Sequence, residues 1–372
     1  RRFSMTKAAE LAKMGEVLDN SQIGRKNIVI NGAMQISQRA TSATGKGDAD
    51  GYFTLDRYDM THGATSAGRY TMSQSTVTDL EGFSNALKID CTTADTSIAA
   101  GEALIIQQHI EGFNVQQLKA TSTSTRAFTL SFYAKSNESR AIVSEINLTN
   151  GTNRQISKLH TIGTSWARYT MTVPAASSTQ IDNDNSDEMQ INFWIHGGST
   201  YTGGTLNDDA LDSITNANRA VGIGSIFAST DNTLEITGIQ LEVGSVATPF
   251  EHRSFGEELA LCQRYCFRIN DNGSDAIQIG NGYYVTATTT RVVVTFPVIM
   301  RSIPTVTTLD SGLGILRANV VDNSVTLDAI NDPSTYSTGL NLSDCASDTI
   351  GEGIVLRIIN GTSGFLEADA EL

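Results

Sequence analysis

The chain is poor in the residues that crosslink, stiffen or charge a protein. Its 372 residues include four cysteines and five prolines, and only 18% of positions are charged. Cys91, Cys262, Cys266 and Cys345 are too few for a disulfide framework. With no CxxC or CxxxxH spacing they also give no zinc signature, and they read as reduced thiols. Basic residues are the scarcer sign, 26 Lys and Arg against 40 Asp and Glu, a formal net charge of −14. That deficit argues against binding nucleic acid or anionic lipid, which needs clustered Lys and Arg. No run approaches the about 18 apolar residues of a membrane span, and no signal-peptide core follows Arg1-Arg2-Phe3, so no membrane insertion is expected. Catalytic signatures are missing too: there is no GxSxG, HExxH or GxxxxGK[ST]. VGIGSIF supplies Gly222 and Gly224 of a dinucleotide loop but holds Phe227 in the third glycine place. The five histidines (His62, His109, His160, His196, His252) stand outside metal-ligand spacing of one another. The expectation is a protein that is not an enzyme.

What is present is strand texture. At about 150 residues per domain the length suits two or three domains. Thr6–Leu18 carries Leu11, Met14 and Leu18 on one helical stripe and predicts a short amphipathic helix in an N-terminal segment, 1–24. From Lys26 onward, short alternating runs rich in Thr, Ser, Ile, Val and aromatics are separated by Gly, Asn and Asp clusters. AFTLSFYAK puts Phe128, Leu130, Phe132 and Ala134 on one face, and MQINFWIH does the same with Met189, Ile191, Phe193 and Ile195. One apolar and one polar face per strand predicts antiparallel sheets packed as a sandwich. The fold class is therefore mainly β, with a jelly-roll sandwich over 25–250. A connecting helix follows at 251–268, where Ser254 and Glu257 form a capping-box pattern and Leu259, Cys262 and Cys266 share a stripe. A second, smaller β-sandwich is expected over 269–372.

Two groups of residues invite a functional reading. The polar faces of the two best strands carry Tyr133 with Lys135, and Trp194 flanked by Asn192 and His196. Flat rings beside amides and charges are how sugars are held, by CH groups stacked on the ring and hydroxyls bonded to the polar groups. The other reading is that these aromatics are covered by a loop or a neighbouring subunit. On the first reading, Trp194→Ala weakens ligand binding and leaves the fold intact. The acidic run IDNDNSDE offers Asp182, Asp184 and Asp187, oxygen ligands on a turn of the kind calcium prefers, without the glycine and glutamate places of an EF-hand. It reads either as a solvated turn or as a structural calcium site, the one cofactor the sequence leaves open.

Several strings resemble a known family. GRKNIVINGAMQISQRAT (Gly24–Thr41), GYFTLDRY (Gly51–Tyr58), ALKIDCTTAD (Ala86–Asp95), FTLSFYAKS (Phe128–Ser136), INFWIHGGSTYTGGTLN (Ile191–Asn207) and ITGIQLEVGSVATPFEHRSFGEELALCQRY (Ile236–Tyr265) occur in collinear order, and the chain ends in EADAEL. They resemble tail-fibre and related virion proteins of marine, cyanophage- or pelagiphage-like bacteriophages. The resemblance implies a jelly roll like a carbohydrate-binding module and a variable distal domain. It also implies a homotrimer located in the virion tail fibre, with other tail proteins and a host surface glycan as partners. It brings no catalytic residues. A non-adhesive virion component, such as a head decoration or a tail adaptor, is the alternative, with a polysaccharide depolymerase behind it.

Overall fold

The computed structural model describes residues 25–372 apart from 65, 152, 178, 272, 310, 311, 319 and 324. The helix expected within 1–24 lies outside the described residues. The chain forms two compact units that divide between Arg253 and Ser254.

The first unit is built from two six-stranded antiparallel sheets. One runs β1 (Ser42–Lys46), β3 (Arg69–Thr76), β4 (Asn85–Thr93), β15 (Thr233–Val243), β8 (Phe128–Ser136), β11 (Ala167–Val173). The other runs β14 (Asp212–Ser213), β10 (Arg154–Ile162), β9 (Arg140–Leu148), β13 (Asp187–Gly197), β5 (Ala103–Glu111), β2 (Asp59–His62). A small third sheet joins β12 (Ala176–Ser177), β7 (Ser124–Thr125) and β6 (Lys119–Thr121). The chain changes sheet from β4 to β5, β5 to β8, β8 to β9, β10 to β11, β11 to β13 and β13 to β15, which is the winding of a jelly roll.

The alternating pattern explains why the two sheets face each other. Phe128, Leu130, Phe132 and Ala134 of β8 share one core with Met189, Ile191, Phe193 and Ile195 of β13. Across the gap Phe132 meets Phe193 edge-on, ring centroids 4.9 Å apart. Burying each such side chain contributes about 1.5–3 kcal/mol. Near the end of the unit, β15 bulges between Thr237 and Gln240. Gly238 sits there at φ +60°, and a Cβ would stand 2.7 Å from Phe83 and 2.9 Å from Tyr133, so glycine is required.

A histidine is buried beside this core. His160 is 5% exposed, bonded to Ser144 Oγ at 2.8 Å and set edge-on to Phe132. Burial, aided by the Lys158 charge, holds its pKa down to about 4. The folded state therefore refuses a proton that the unfolded chain accepts near pH 6.5. The stability that His160 contributes is complete above pH 6.5, is lost as pH falls toward 4, and levels off below that. The shift corresponds to about 3 kcal/mol. His160→Gln should remove this dependence. Urea unfolding of both proteins from pH 7.5 to 4, followed by tryptophan fluorescence, checks it, because Trp166 and Trp194 both lie in the first unit.

The second unit has a seven-stranded sheet of order β21 (Val320–Asp322), β20 (Leu313–Arg317), β24 (Gly353–Ile358), β17 (Ile277–Tyr284), β18 (Thr290–Thr295), β23 (Ser337–Ser343), β22 (Thr326–Asn331). Its three-stranded sheet is β16 (Cys266–Asn270), β25 (Phe365–Asp369), β19 (Thr305–Thr308). Val292 and Leu340 of the larger sheet share a core with Val306 and Leu366 of the smaller. The helix Phe255–Gln263 belongs to this unit, and Ser254 Oγ accepts from the Glu257 N–H at 3.3 Å, as the cap pattern predicts. Cys262 is buried in that helix. Cys266, expected on the same stripe, instead opens β16, because a turn closes from the Tyr265 N–H to the Cys262 carbonyl and the chain then pairs with β25.

Candidate functional site

The outer face of the sheet containing β13 and β5 carries the most developed polar site. Gln190, Asn192, Trp194 and His196 point away from the core on β13. Register sets Asn192 opposite Gln107 on β5 and Glu145 on β9, Gln190 opposite His109 and Asn147, and Trp194 opposite Ile105 and Val143. Beyond β13 the chain folds back over this face. It turns at Gly198, where a Cβ would lie 2.0 Å from the Ala99 carbonyl oxygen. The returning arm is closed by Ala220 N–H to the Tyr201 carbonyl and Gly204 N–H to the Ala217 carbonyl, both 2.9 Å.

This arm corrects the expectation of an exposed tryptophan. Trp194 is fully buried in a small apolar cluster with Ala103, Ile105, Val143 and Ala220, against which Tyr201, Leu206 and Ile223 pack. Tyr201 lies over the indole at 5.0 Å between centroids, and the Arg219 guanidinium stands 4.8 Å from the ring. The half-buried Tyr201 is thus the aromatic that reaches the surface here.

Beside the arm is a cleft of about 490 Å³, lined by Thr61, Gln107, Asn147, Gln190, Tyr201 and Arg219 among others. Its floor is a connected set of amides. Asn192 Nδ2 donates to Glu145 Oε1 (2.8 Å), so its Oδ1 faces Gln107 and accepts from Nε2 at 2.7 Å. Gln107 Nε2 also reaches Gln190 Oε1 (3.1 Å), which accepts in addition from Asn147 Nδ2 (3.0 Å). Gln190 Nε2 in turn donates to Asp187 Oδ2 at 2.6 Å. At the other side the Thr61 hydroxyl sits 2.8 Å from Gln107 Oε1 and 2.7 Å from Asp59 Oδ2. Glu145 is fully buried, and Arg219 holds it with two bonds, Nε to Oε2 at 2.9 Å and Nη2 to Oε1 at 2.6 Å.

His196, also buried, makes no approach to this cleft. Its Nε2 lies 3.1 Å from Glu102 Oε2 and its Nδ1 2.8 Å from Ser225 Oγ. Burial lowers its pKa against the pull of Glu102. The neutral ring then donates from Nε2 and accepts from the serine hydroxyl, pinning the turn that starts at Ser225.

Tyr133 and Lys135 lie elsewhere. They are on β8, on the outer face of the opposite sheet, so the structure separates them from Asn192, Trp194 and His196 by the thickness of the sandwich. Tyr133 packs on Phe83 (5.3 Å), and Phe83 packs on Phe250 (5.0 Å), which ties residues leaving the jelly roll to the sheet. Lys135 Nζ bonds Asp79 at 3.0 Å and lies 4.9 Å from the Trp166 ring, while Trp166 Nε1 donates to Asp79 at 2.8 Å.

The three acids of the calcium reading stand in different settings. Asp187 Oδ2 accepts from Gln190 and lies 2.9 Å from His109 Nδ1, so this acid serves the amide floor. Asp184 Oδ1 accepts from the N–H (3.0 Å) and hydroxyl (2.6 Å) of Ser186, and Asp182 is exposed. Among the described residues no three His, Cys, Asp or Glu side chains are placed to hold a metal ion. The buried acid of the run is its neighbour Glu188, whose pKa burial pushes up to about 7.

Gln107, Asn147, Gln190, Tyr201 and Arg219 are the site residues that sequence reasoning passed over. The available signal was the pair of amides interrupting the otherwise apolar run ALIIQQHI, matched by amides at alternate places in MQINFWIH.

No protein-family model matches the sequence, and no curated protein matches it. Among similar solved structures is the enzymatically active domain of tailspike protein 4 of bacteriophage CBA120, at 15% identity and TM-score 0.30. That match covers 59% of this chain and 22% of the other, so this chain spans less than a quarter of it. A second is the carbohydrate-binding module TmCBM61 in complex with β-1,4-galactotriose, 9% identical, TM-score 0.29, covering 59% of this chain and all of that one. A third is the family 11 carbohydrate-binding module of Clostridium thermocellum with a mixed-linked tetrasaccharide, 11% identical, TM-score 0.27, covering 56% of this chain and 99% of that one.

Proposed function

We propose that the first unit binds saccharides in the cleft over β13, β5 and β9. We further propose that the chain is a structural adhesin of a bacteriophage tail, a tail fibre that attaches the virion to host envelope glycans. One observation carries the binding reading: a cleft floored by a bonded set of side-chain amides and walled by Tyr201. A sugar presents hydroxyls that both donate and accept, together with a CH face. Amides offer both hydrogen-bond roles on a fixed lattice, and an aromatic ring accepts the CH face.

The tail-fibre part rests on the collinear strings from Gly24 to Tyr265. In that setting the chain is a homotrimer joined to other tail proteins and acts by adhesion rather than turnover. Several weak sites on one particle would then raise avidity far above a single-site affinity.

Tyr201→Ala should lower saccharide affinity about tenfold while leaving the unfolding midpoint nearly unchanged, because the ring is only half-buried. Calorimetric titration of the full chain with host-envelope polysaccharide fragments measures the first quantity, and denaturant unfolding the second. Retention of no saccharide would remove the binding reading. Immunogold labelling of intact particles tests the location: label on the fibres supports it, and label at the head or neck favours a decoration or adaptor. Release of reducing ends from the polysaccharide would overturn the non-enzymatic reading.

A further inference from the structure

We infer that the cleft takes an uncharged saccharide chain, contacted by Asn147 Oδ1 as an acceptor; this rests on the saccharide-binding reading above. Amide orientation is usually ambiguous, since the oxygen and nitrogen ends look alike. Here two carboxylates remove the ambiguity. Asn192 must turn its nitrogen to Glu145, and Gln190 must turn its nitrogen to Asp187. Gln190 Oε1 therefore faces Asn147, which meets it with Nδ2 and turns Oδ1 the other way. Asn147 is 6% exposed and lines the cleft, and its Oδ1 has no hydrogen-bond partner among the described residues. A buried lone acceptor in a ligand cleft selects a donor: a hydroxyl or an acetamido N–H fits it, whereas a carboxylate or sulfate oxygen is repelled.

The charges around the cleft lead to the same conclusion. Among the described lining residues only Arg219 and His62 carry basic side chains. Arg219 is committed to Glu145 by two bonds. His62 lies 3.3 Å from Asp50 by Nδ1 and 3.2 Å from the Tyr70 hydroxyl by Nε2. Behind the amides stand Asp59, Glu145 and Asp187, each one hydrogen bond from the floor. An anionic sugar would leave water for a site with no free cation among its described lining residues and with Asp59 and Asp187 close behind, Glu145 being already matched by Arg219. At about 490 Å³ the cleft has room for more than one pyranose ring, so a stretch of chain is bound rather than a terminal monosaccharide.

The test titrates the full chain with neutral oligosaccharides (hexose and N-acetylhexosamine series) and with alginate and polygalacturonate fragments, at low and moderate salt. The expected result is binding of at least one neutral series, strengthening from monosaccharide to trisaccharide, with no binding of the acidic fragments. Asn147→Leu should weaken that binding about tenfold, the loss of one well-made hydrogen bond. Acidic fragments bound in preference to every neutral series would overturn the inference and leave saccharide binding standing. So would neutral binding that Asn147→Leu leaves unchanged in a protein with wild-type fluorescence. No binding of either class would remove the underlying reading as well.

Discussion

Trp194→Ala is expected to destabilise the first unit by about 3–5 kcal/mol, the usual range for emptying a buried aromatic site. Nothing of the ring reaches solvent, and its neighbours come from two strands and the arm. Removing it leaves a cavity beneath Tyr201 and takes away the face on which Arg219 rests. The cavity cannot collapse freely, because Ala103, Ile105 and Val143 are fixed by the strands that carry them. Trp194→Phe should cost much less. It keeps most of the ring and deletes an indole N–H that is buried without a partner among the described residues. Denaturant unfolding followed through Trp166 reads both variants. An alanine variant as stable as the parent would mean that the arm does not pack on this face.

A second large effect is expected at the buried ion pair. Arg219→Ala strands the carboxylate of Glu145 inside the sheet's cover, with Asn192 as its remaining partner, and breaking such a pair by removing one member costs about 3–5 kcal/mol. The double variant Glu145→Gln with Arg219→Ala should recover much of the loss, because no charge is then left unpaired. It should not recover ligand affinity. Without the carboxylate, Asn192 is free to turn, and the orientation that passes through Gln107 to Gln190 and Asn147 is no longer enforced from this end. Unfolding free energies and calorimetric affinities on the single and double variants separate the two roles. A single variant with unchanged stability would show the pair to be solvated.

How far the sequence reaches is clear from particular residues. Phe128 to Ala134 and Met189 to Ile195 were legible as core faces because a strand's period of two writes burial directly into the order of residues. The capped helix after Ser254 was legible for a similar local reason. Which sheet a strand joins is not local, so Tyr133 and Trp194 read as one surface although the chain carries them to opposite sides. The burial of Trp194 is decided by an irregular arm with no periodicity to read. Asp187 looked like an oxygen ligand on a turn, but His109, 78 residues away, takes the same carboxylate. The amide floor is the strongest case: Gln107, Asn147 and Gln190 are individually unremarkable, and they meet only through the registers of β5, β9 and β13.

The most direct test of the cleft as the saccharide site is a titration of the isotope-labelled full chain with a bound neutral oligosaccharide, followed through the side-chain amide resonances. The expected result is shifts at Gln107, Asn147 and Gln190, with the resonances around Tyr133, Lys135 and Trp166 unmoved. Shifts confined to the opposite face, around those three residues, would contradict the account.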